Sequence, residues 1–158
     1  MPEIKVTIPG TPIAKKRPRF ARRGKFVTTY NEQQTEEGKF ILLAIQQIKE
    51  KAPQGVPVEL ICRFVFPVPK SLTKKAWREI VEQDYAHVKK PDGDNCLKFV
   101  KDCLNGVAWH DDSQVWFAEC RKIYDEEART ELIIHWEDRI NHTPVPGVMV
   151  RTGNVGDF

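Results

Sequence analysis

Residues Lys89 to Val115 read K-K-P-D-G-D-N-C-L-K-F-V-K-D-C-L-N-G-V-A-W-H-D-D-S-Q-V. Pro91 and Gly93 make Pro91 to Asp94 a turn, and Asp92 or Asp94 is suited to cap a following helix. At 100° per residue that helix sets Cys96, Phe99, Val100, Cys103, Leu104 and Val107 on one side, which predicts a face buried in a core. The opposite side gathers Asp94, Lys98, Lys101, Asp102 and Asn105. Asn105-Gly106 ends the helix, the glycine supplying the positive φ of a C-terminal cap.

Outward from this helix the chain alternates strands and helices. Glu3 to Ile8 and Val58 to Phe66 alternate with period two and predict half-buried strands, the second ended by Pro67 and Pro69. Asn31 to Lys51 predicts a helix capped by Asn31, with Ile41, Ala44, Ile45 and Ile48 as its apolar stripe. Thr73 to His87 predicts a second helix, with Trp77, Ile80, Val81 and Tyr85 facing the core. Gln114 to Tyr124 and Thr130 to Trp136 flank an acidic turn and are expected to pair as a hairpin. The fold class is therefore α+β: one domain, a mixed, mainly antiparallel sheet with helices packed on it. The domain is expected to span 1–140, with a Pro/Gly-containing tail at 141–158.

The 158 residues are 41% hydrophobic and 30% charged, which excludes a fibrous or disordered chain. The longest uncharged run, Ile140 to Val150, holds two prolines and falls short of the ~20 apolar residues of a membrane helix. The first residues carry no apolar signal core, so a reducing, cytoplasmic compartment and no membrane partner are expected. The four cysteines form no C-x-x-C pair, so neither a zinc ribbon nor a redox motif is indicated.

A net charge of +3 conceals an asymmetry. Residues 1–30 hold eight Lys or Arg against Glu3 alone, a segment charge of +7 that leaves −4 for the remaining 128 residues. Clustered Lys15, Lys16, Arg17, Arg19, Arg22 and Arg23 point to a polyanion and are the candidate phosphate contacts, with Lys74 and Lys75 as secondary ones. Pro12, Pro18 and Gly24 make the basic stretch a loop or irregular hairpin. Phe20, Phe26 and Tyr30 lie among these charges and are expected to pack rather than to stack on bases.

If Asp92 to Asp94 is extended, both carboxylates point one way, and one of Asp111 and Asp112 is able to join them. Three carboxylates with no imidazole or thiolate partner suit a hard divalent cation such as Mg²⁺. An EF-hand fails on position, because a loop counted from Asp92 has Leu97 and Cys103 where Gly and Glu are required. A hard cation beside a basic surface suggests phosphodiester hydrolysis, with Lys98, one turn from Asp94, adding positive charge at the phosphate. The competing reading makes Asp92 and Asp94 mere helix caps and pairs Asp94 with Lys98. His110 is expected only to line the site, and Cys96 and Cys103 to belong to the core.

The segments P-D-G-D-N-C-L-K, D-C-L-N-G and W-H-D-D-S-Q-V, with the early P-G-T-P-I-A-K-K-R-P-R-F, resemble the signature of the RusA family of Holliday junction resolvases. The resemblance runs in order from about Ile4 to Trp136. It implies a bacterial or phage-encoded α+β homodimer that cuts four-way DNA junctions by paired symmetric nicks in recombination and repair. It also implies Mg²⁺ as cofactor, with Mn²⁺ able to substitute. Asp92, Asp94 and Asp112 become the metal-ligating aspartates and Lys98 the assisting, DNA-contacting lysine, so the choice between Asp111 and Asp112 rests on the resemblance. Two departures stand out: Gly93 where relatives usually carry an aliphatic residue, which is expected to loosen the loop, and Cys96 where Leu is common. The alternative from another class is a non-catalytic module that binds branched DNA and whose carboxylates are structural.

Overall fold

The computed structural model describes residues 2–17, 19–30 and 32–137. The expected Asn31 cap, the tail at 141–158 and the side chains of Arg19, Arg23 and Tyr30 lie outside the described residues. In chain order the elements are β1 (Glu3–Pro9), β2 (Arg19–Arg23), β3 (Phe26–Tyr30), α1 (Gln34–Gln47), β4 (Val58–Pro67), α2 (Lys74–Glu82), α3 (Gly93–Leu104), β5 (Val115–Asp125) and β6 (Arg129–Trp136). A single 3₁₀ turn, Asp112–Gln114, precedes β5.

Val58, Leu60, Cys62, Phe64 and Phe66 of β4 are buried on one face, as their alternation predicts, and form the core with α3. That face receives Cys96, Phe99, Val100, Cys103 and Leu104, whereas Val107 is only half-buried. Burial of Phe99, Val100 and Leu104 stabilises by roughly 1.5–3 kcal/mol each. Phe40 of α1 meets Phe99 edge to face at 5.5 Å and fixes α1 against α3. Gly106, at φ 79°, ends α3 in the left-handed conformation that its sequence calls for.

The main sheet has the order β1-β6-β4-β5, with β1–β6 and β6–β4 antiparallel and β4–β5 parallel. The expected β5–β6 hairpin does not form, because β4 lies between the two strands. A strand as apolar as β4 gains most at the centre of a sheet, with a partner on each side. The turn after β5 therefore crosses the end of β4, where the Val68 N–H donates to the Asp125 carbonyl and the Gly10 N–H to that of Ala128. Arg129 holds the turn through Asp125 at 3.0 Å and Glu131 at 2.6 Å.

The helices also depart from expectation. α1 is shorter than predicted and buries Phe40 and Ala44, while Ile45 is 52% exposed. α2 stops at Glu82 with no fully buried side chain, its start capped by the Thr73 hydroxyl, which accepts from the Ala76 N–H. Asp84 then turns the chain at positive φ, and Ala86 bridges to Ile123 on the outer edge of β5. Tyr85 is exposed rather than in the core. β2 and β3 form a ribbon separate from the main sheet.

Candidate active site

α3 begins where the sequence places it. Asp92 is extended (φ −70°, ψ 142°), its carbonyl accepting from the Cys96 N–H, while Gly93 and Asp94 are already helical. The turn is thus not the fully extended segment that would align the two carboxylates by alternation. Asp92 and Asp94 instead occupy the start of the helix, where the partial positive charge of the backbone amides favours anions. The Asp92 carboxylate makes no capping hydrogen bond. Asp94 and Lys98 are exposed, and among the described residues neither forms an ion pair. The capping and pairing that a purely structural role requires are absent, and both carboxylates have their oxygens available. Asp92 borders a shallow cleft that is also lined by Lys90, Pro91 and Asn95.

β5 braces this turn through a residue that the sequence reading passed over. Lys122 Nζ donates to the carbonyls of Lys89 at 2.7 Å and Pro91 at 2.8 Å. Gly93 lies flat against the same strand, for a Cβ there would stand 3.2 Å from Cys120 Sγ and 3.9 Å from Lys122 Cδ. Glycine thus allows a close approach that a larger residue would meet only if Cys120 shifted, and its φ is not positive. Burial pushes the Cys96 thiol up to about 11 and raises the thiols of Cys62 and Cys120 as well, so the sulfurs beneath the turn stay protonated.

Asp111 and Asp112 differ in what they are free to do. The Asp111 carboxylate accepts from the Ser113 N–H at 2.8 Å, and hydrogen bonding from the Ser113 side chain first and its N–H second holds the Asp111 pKa below the ordinary value, while Gln114 Oε1 accepts from the Asp111 N–H. Asp111 is spent as the cap of the 3₁₀ turn. The other oxygen donor, Asp112, is half-buried and accepts from the indole Nε1–H of the fully buried Trp109 at 2.8 Å. Trp109 is a second supporting residue that no periodicity marked. His110 is exposed.

The three aspartates named by the resemblance are not gathered in one chain. Asp92 and Asp94 stand at the start of α3 and Asp112 beyond its end, and twelve helical residues span roughly 18 Å. Among the described residues no group of three His, Cys, Asp or Glu converges as a cation-holding set. The convergence expected from sequence is thus not found within a single copy. The donor chemistry still fits a hard cation: Mg²⁺ is commonly held by one or two carboxylates together with waters and substrate phosphates, and Asp92 and Asp94 provide two unspent ones.

The basic segment lies against this turn. The Lys15 N–H donates to the Asn95 carbonyl at 2.9 Å, and the buried Gln33 side chain accepts from the Lys16 N–H and donates to the Ala14 carbonyl. Lys15 itself is not a free cation, since its ammonium pairs with Glu37 at 2.7 Å and Asp102 at 3.2 Å. Burial alone would lower its pKa, but these two hydrogen bonds raise it. Lys16, Arg17 and Arg22 are exposed and form no ion pair among the described residues. Lys74 and Lys75 are exposed at the start of α2. No helix among the described residues is long and apolar enough to cross a membrane.

A family model described as endodeoxyribonuclease RusA matches residues 9–135. The chain is also 34% identical over 134 residues to the uncharacterized protein YqaN of Bacillus subtilis (strain 168), a match that covers 83% of this chain and 94% of that one.

Proposed function

The chain belongs to the RusA family of endodeoxyribonucleases, and from that premise we propose that it resolves four-way DNA junctions by Mg²⁺-dependent paired nicks, with Mn²⁺ able to substitute. The observation that carries this reading is the seating of the basic segment, through Lys15 and Asn95, beside two carboxylates with no structural employment. Lys16, Arg17 and Arg22 bind phosphates and align the strand, and Asp92 and Asp94 hold the cation. Lys98, one turn along α3, places an ammonium where negative charge grows on the phosphate. When bound, the cation supplies charge neutralisation at the scissile phosphate and an activated water.

The separation of Asp112 supports a homodimer in which each site draws on both copies. Tyr85–His87 covers β5 only at residues 122–124, and among the described residues nothing pairs with its outer edge from Trp116 to Cys120. That edge carries Trp116 and Phe117, 63% and 42% exposed. Antiparallel pairing of two such edges about Trp116 carries the start of one copy's β5, with the Asp112 turn that precedes it, towards the Cys120 end of the other, where Cys120 touches Gly93. A two-fold dimer also presents two equivalent sites to the two opposed strands of a junction.

The test is cleavage of a synthetic four-way junction in Mg²⁺ by wild type, Asp94→Asn, Asp112→Asn and a refolded equimolar mixture of the two variants. Wild type is expected to introduce paired symmetric nicks, and each variant to bind without cutting. The mixture is expected to regain nicking, because half of the sites in a mixed dimer combine intact Asp94 with intact Asp112. A mixture as inactive as its components refutes the shared site. Junction binding with no Mg²⁺-dependent cutting by wild type refutes the enzyme and leaves a DNA-binding module.

A further inference from the structure

The β2–β3 ribbon has no core of its own. Apart from each other, neither strand makes more than marginal contact with the other helices and strands, yet Phe20, Phe26 and Val27 are 73%, 78% and 63% exposed. A two-stranded ribbon of five-residue strands is marginally stable in water, and large apolar side chains on it gain nothing by facing solvent. The packing expected of Phe20 and Phe26 from sequence is therefore not what the fold provides. These side chains are placed for a partner.

The chemistry of that partner is set by what surrounds the aromatics. No acidic residue occurs from Ile4 to Asn31. Arg22 and Lys25 stand exposed on the ribbon and Lys16 and Arg17 at its base, without an ion pair among the described residues. The register pairs Arg22 with Val27 and Phe20 with Thr29, so Phe20, Arg22 and Val27 share one face, and Phe26 occupies the other face beside the Gly24 turn. Phe20 thus shares a face with Arg22, and Phe26 adjoins Lys25 at the turn. This combination suits a strand of nucleic acid whose bases are unstacked, with cations on phosphates and rings on base faces. Regular duplex hides those faces. A branch point, where stacking is interrupted, exposes them.

We propose that the β2–β3 ribbon is a base-stacking probe for unpaired nucleotides at a DNA branch point, with Phe26 at its tip and Phe20 on its flank as the stacking groups. The proposal rests on the DNA-directed reading given above and adds to it the means by which branched DNA is told from duplex. The ribbon's base is tied beside the carboxylate turn through Lys15 and Asn95. Recognition of an unstacked base and placement of the neighbouring phosphate at Asp92 and Asp94 are thereby mechanically linked.

The experiment measures binding of the full chain, in EDTA so that nothing is cut, to a synthetic four-way junction and to a linear duplex of the same arm sequence. Both rings are exposed, so Phe20→Ala/Phe26→Ala is expected to fold normally, which circular dichroism and the melting temperature check. Junction affinity is expected to fall on the order of ten-fold or more, duplex affinity to change less than about two-fold, and Phe26→Trp to retain wild-type discrimination. A 2-aminopurine at the branch point is expected to change its emission with wild type and not with the double variant. Junction and duplex affinities that stay unchanged, or that fall together, overturn the proposal. So does a double variant whose mass in solution drops from dimer to monomer without DNA, which would make the ribbon a self-association surface. Because binding is read without metal, a wild-type chain that discriminates junction from duplex through the ribbon but fails to cut refutes the nuclease reading alone.

Discussion

Replacing Lys122 by methionine keeps the length and apolar stem of the side chain while removing the ammonium that ties β5 to the turn before Asp92. Two charge-assisted hydrogen bonds are lost, at 2.7 and 2.8 Å to the carbonyls of Lys89 and Pro91. Bonds of this kind contribute about 1.5–3 kcal/mol each when shielded. The Lys89 bond lies at the surface, where water replaces it readily, so most of the loss falls on the part-buried Pro91 bond. A total of about 2 kcal/mol corresponds to roughly a thirty-fold change in an equilibrium between braced and released turns. Its loss on unfolding would lower the melting temperature by about 4–8 °C for a chain of this size. We expect Lys122→Met to need more Mg²⁺ for half-maximal junction cleavage and to cut about ten-fold or more slowly at limiting metal, with junction affinity in EDTA unchanged. Lys122→Arg, which keeps the charge and donors, should recover most of the rate. Wild-type metal dependence in Lys122→Met would refute the role of Lys122 as a positioning residue. A uniform loss of binding and folding would show instead that it acts on the whole domain.

Three further outcomes follow from the geometry. Asp111→Ala should lower the melting temperature slightly and leave cleavage near wild type, whereas Asp112→Ala should abolish cleavage, because the first carboxylate caps a turn and the second is held out by Trp109. Gly93→Ala should destabilise by roughly 1–3 kcal/mol through overpacking, since its Cβ would meet Cys120 Sγ at 3.2 Å, and Cys120→Ala in the same chain should recover much of the loss in thermal melts. His87, buried and stacked on Phe66 at 3.9 Å with its Nδ1 unpartnered, has its pKa lowered from 6.5, first by burial and then by the charge of Lys122. The folded chain therefore resists a proton that the unfolded chain accepts. Stability should be level above about pH 6.5 and fall as the pH drops below it towards the lowered folded value, and His87→Phe should flatten that decline.

The parts of the fold that were legible in the sequence are those decided within one helical turn or one strand. Five of the six side chains assigned to the inner face of α3 are fully buried, because a 3.6-residue period fixes which residues share a side whatever they pack against. The Gly106 terminus was legible for the same reason, being set by φ. Ile45 was misread because α1 has apolar residues on more than one side, and its contact with β1 and α3 selects Phe40 and Ala44. The β5–β6 hairpin was misread because a turn signal specifies a reversal of direction and not which strand fills the space between.

The same division runs through the site. Residue types and spacing by themselves determined the chemistry on offer: carboxylates at the start of a helix, a basic segment of +7, and no soft ligands arranged for a transition metal. Only the tertiary structure decided which of those groups are at liberty. It spends Asp111 on a cap and Lys15 on Glu37 and Asp102, leaves Asp92 without a capping bond, and lifts Phe20 and Phe26 clear of the core. Among the described residues it brings no third carboxylate together with Asp92 and Asp94 in a cation-holding group. Side-chain identity travels with the chain. Asp111 is taken by neighbours within three residues, but whether Lys15 is free depends on partners brought from tens of residues away, and that is settled only when the sheet and helices close around them.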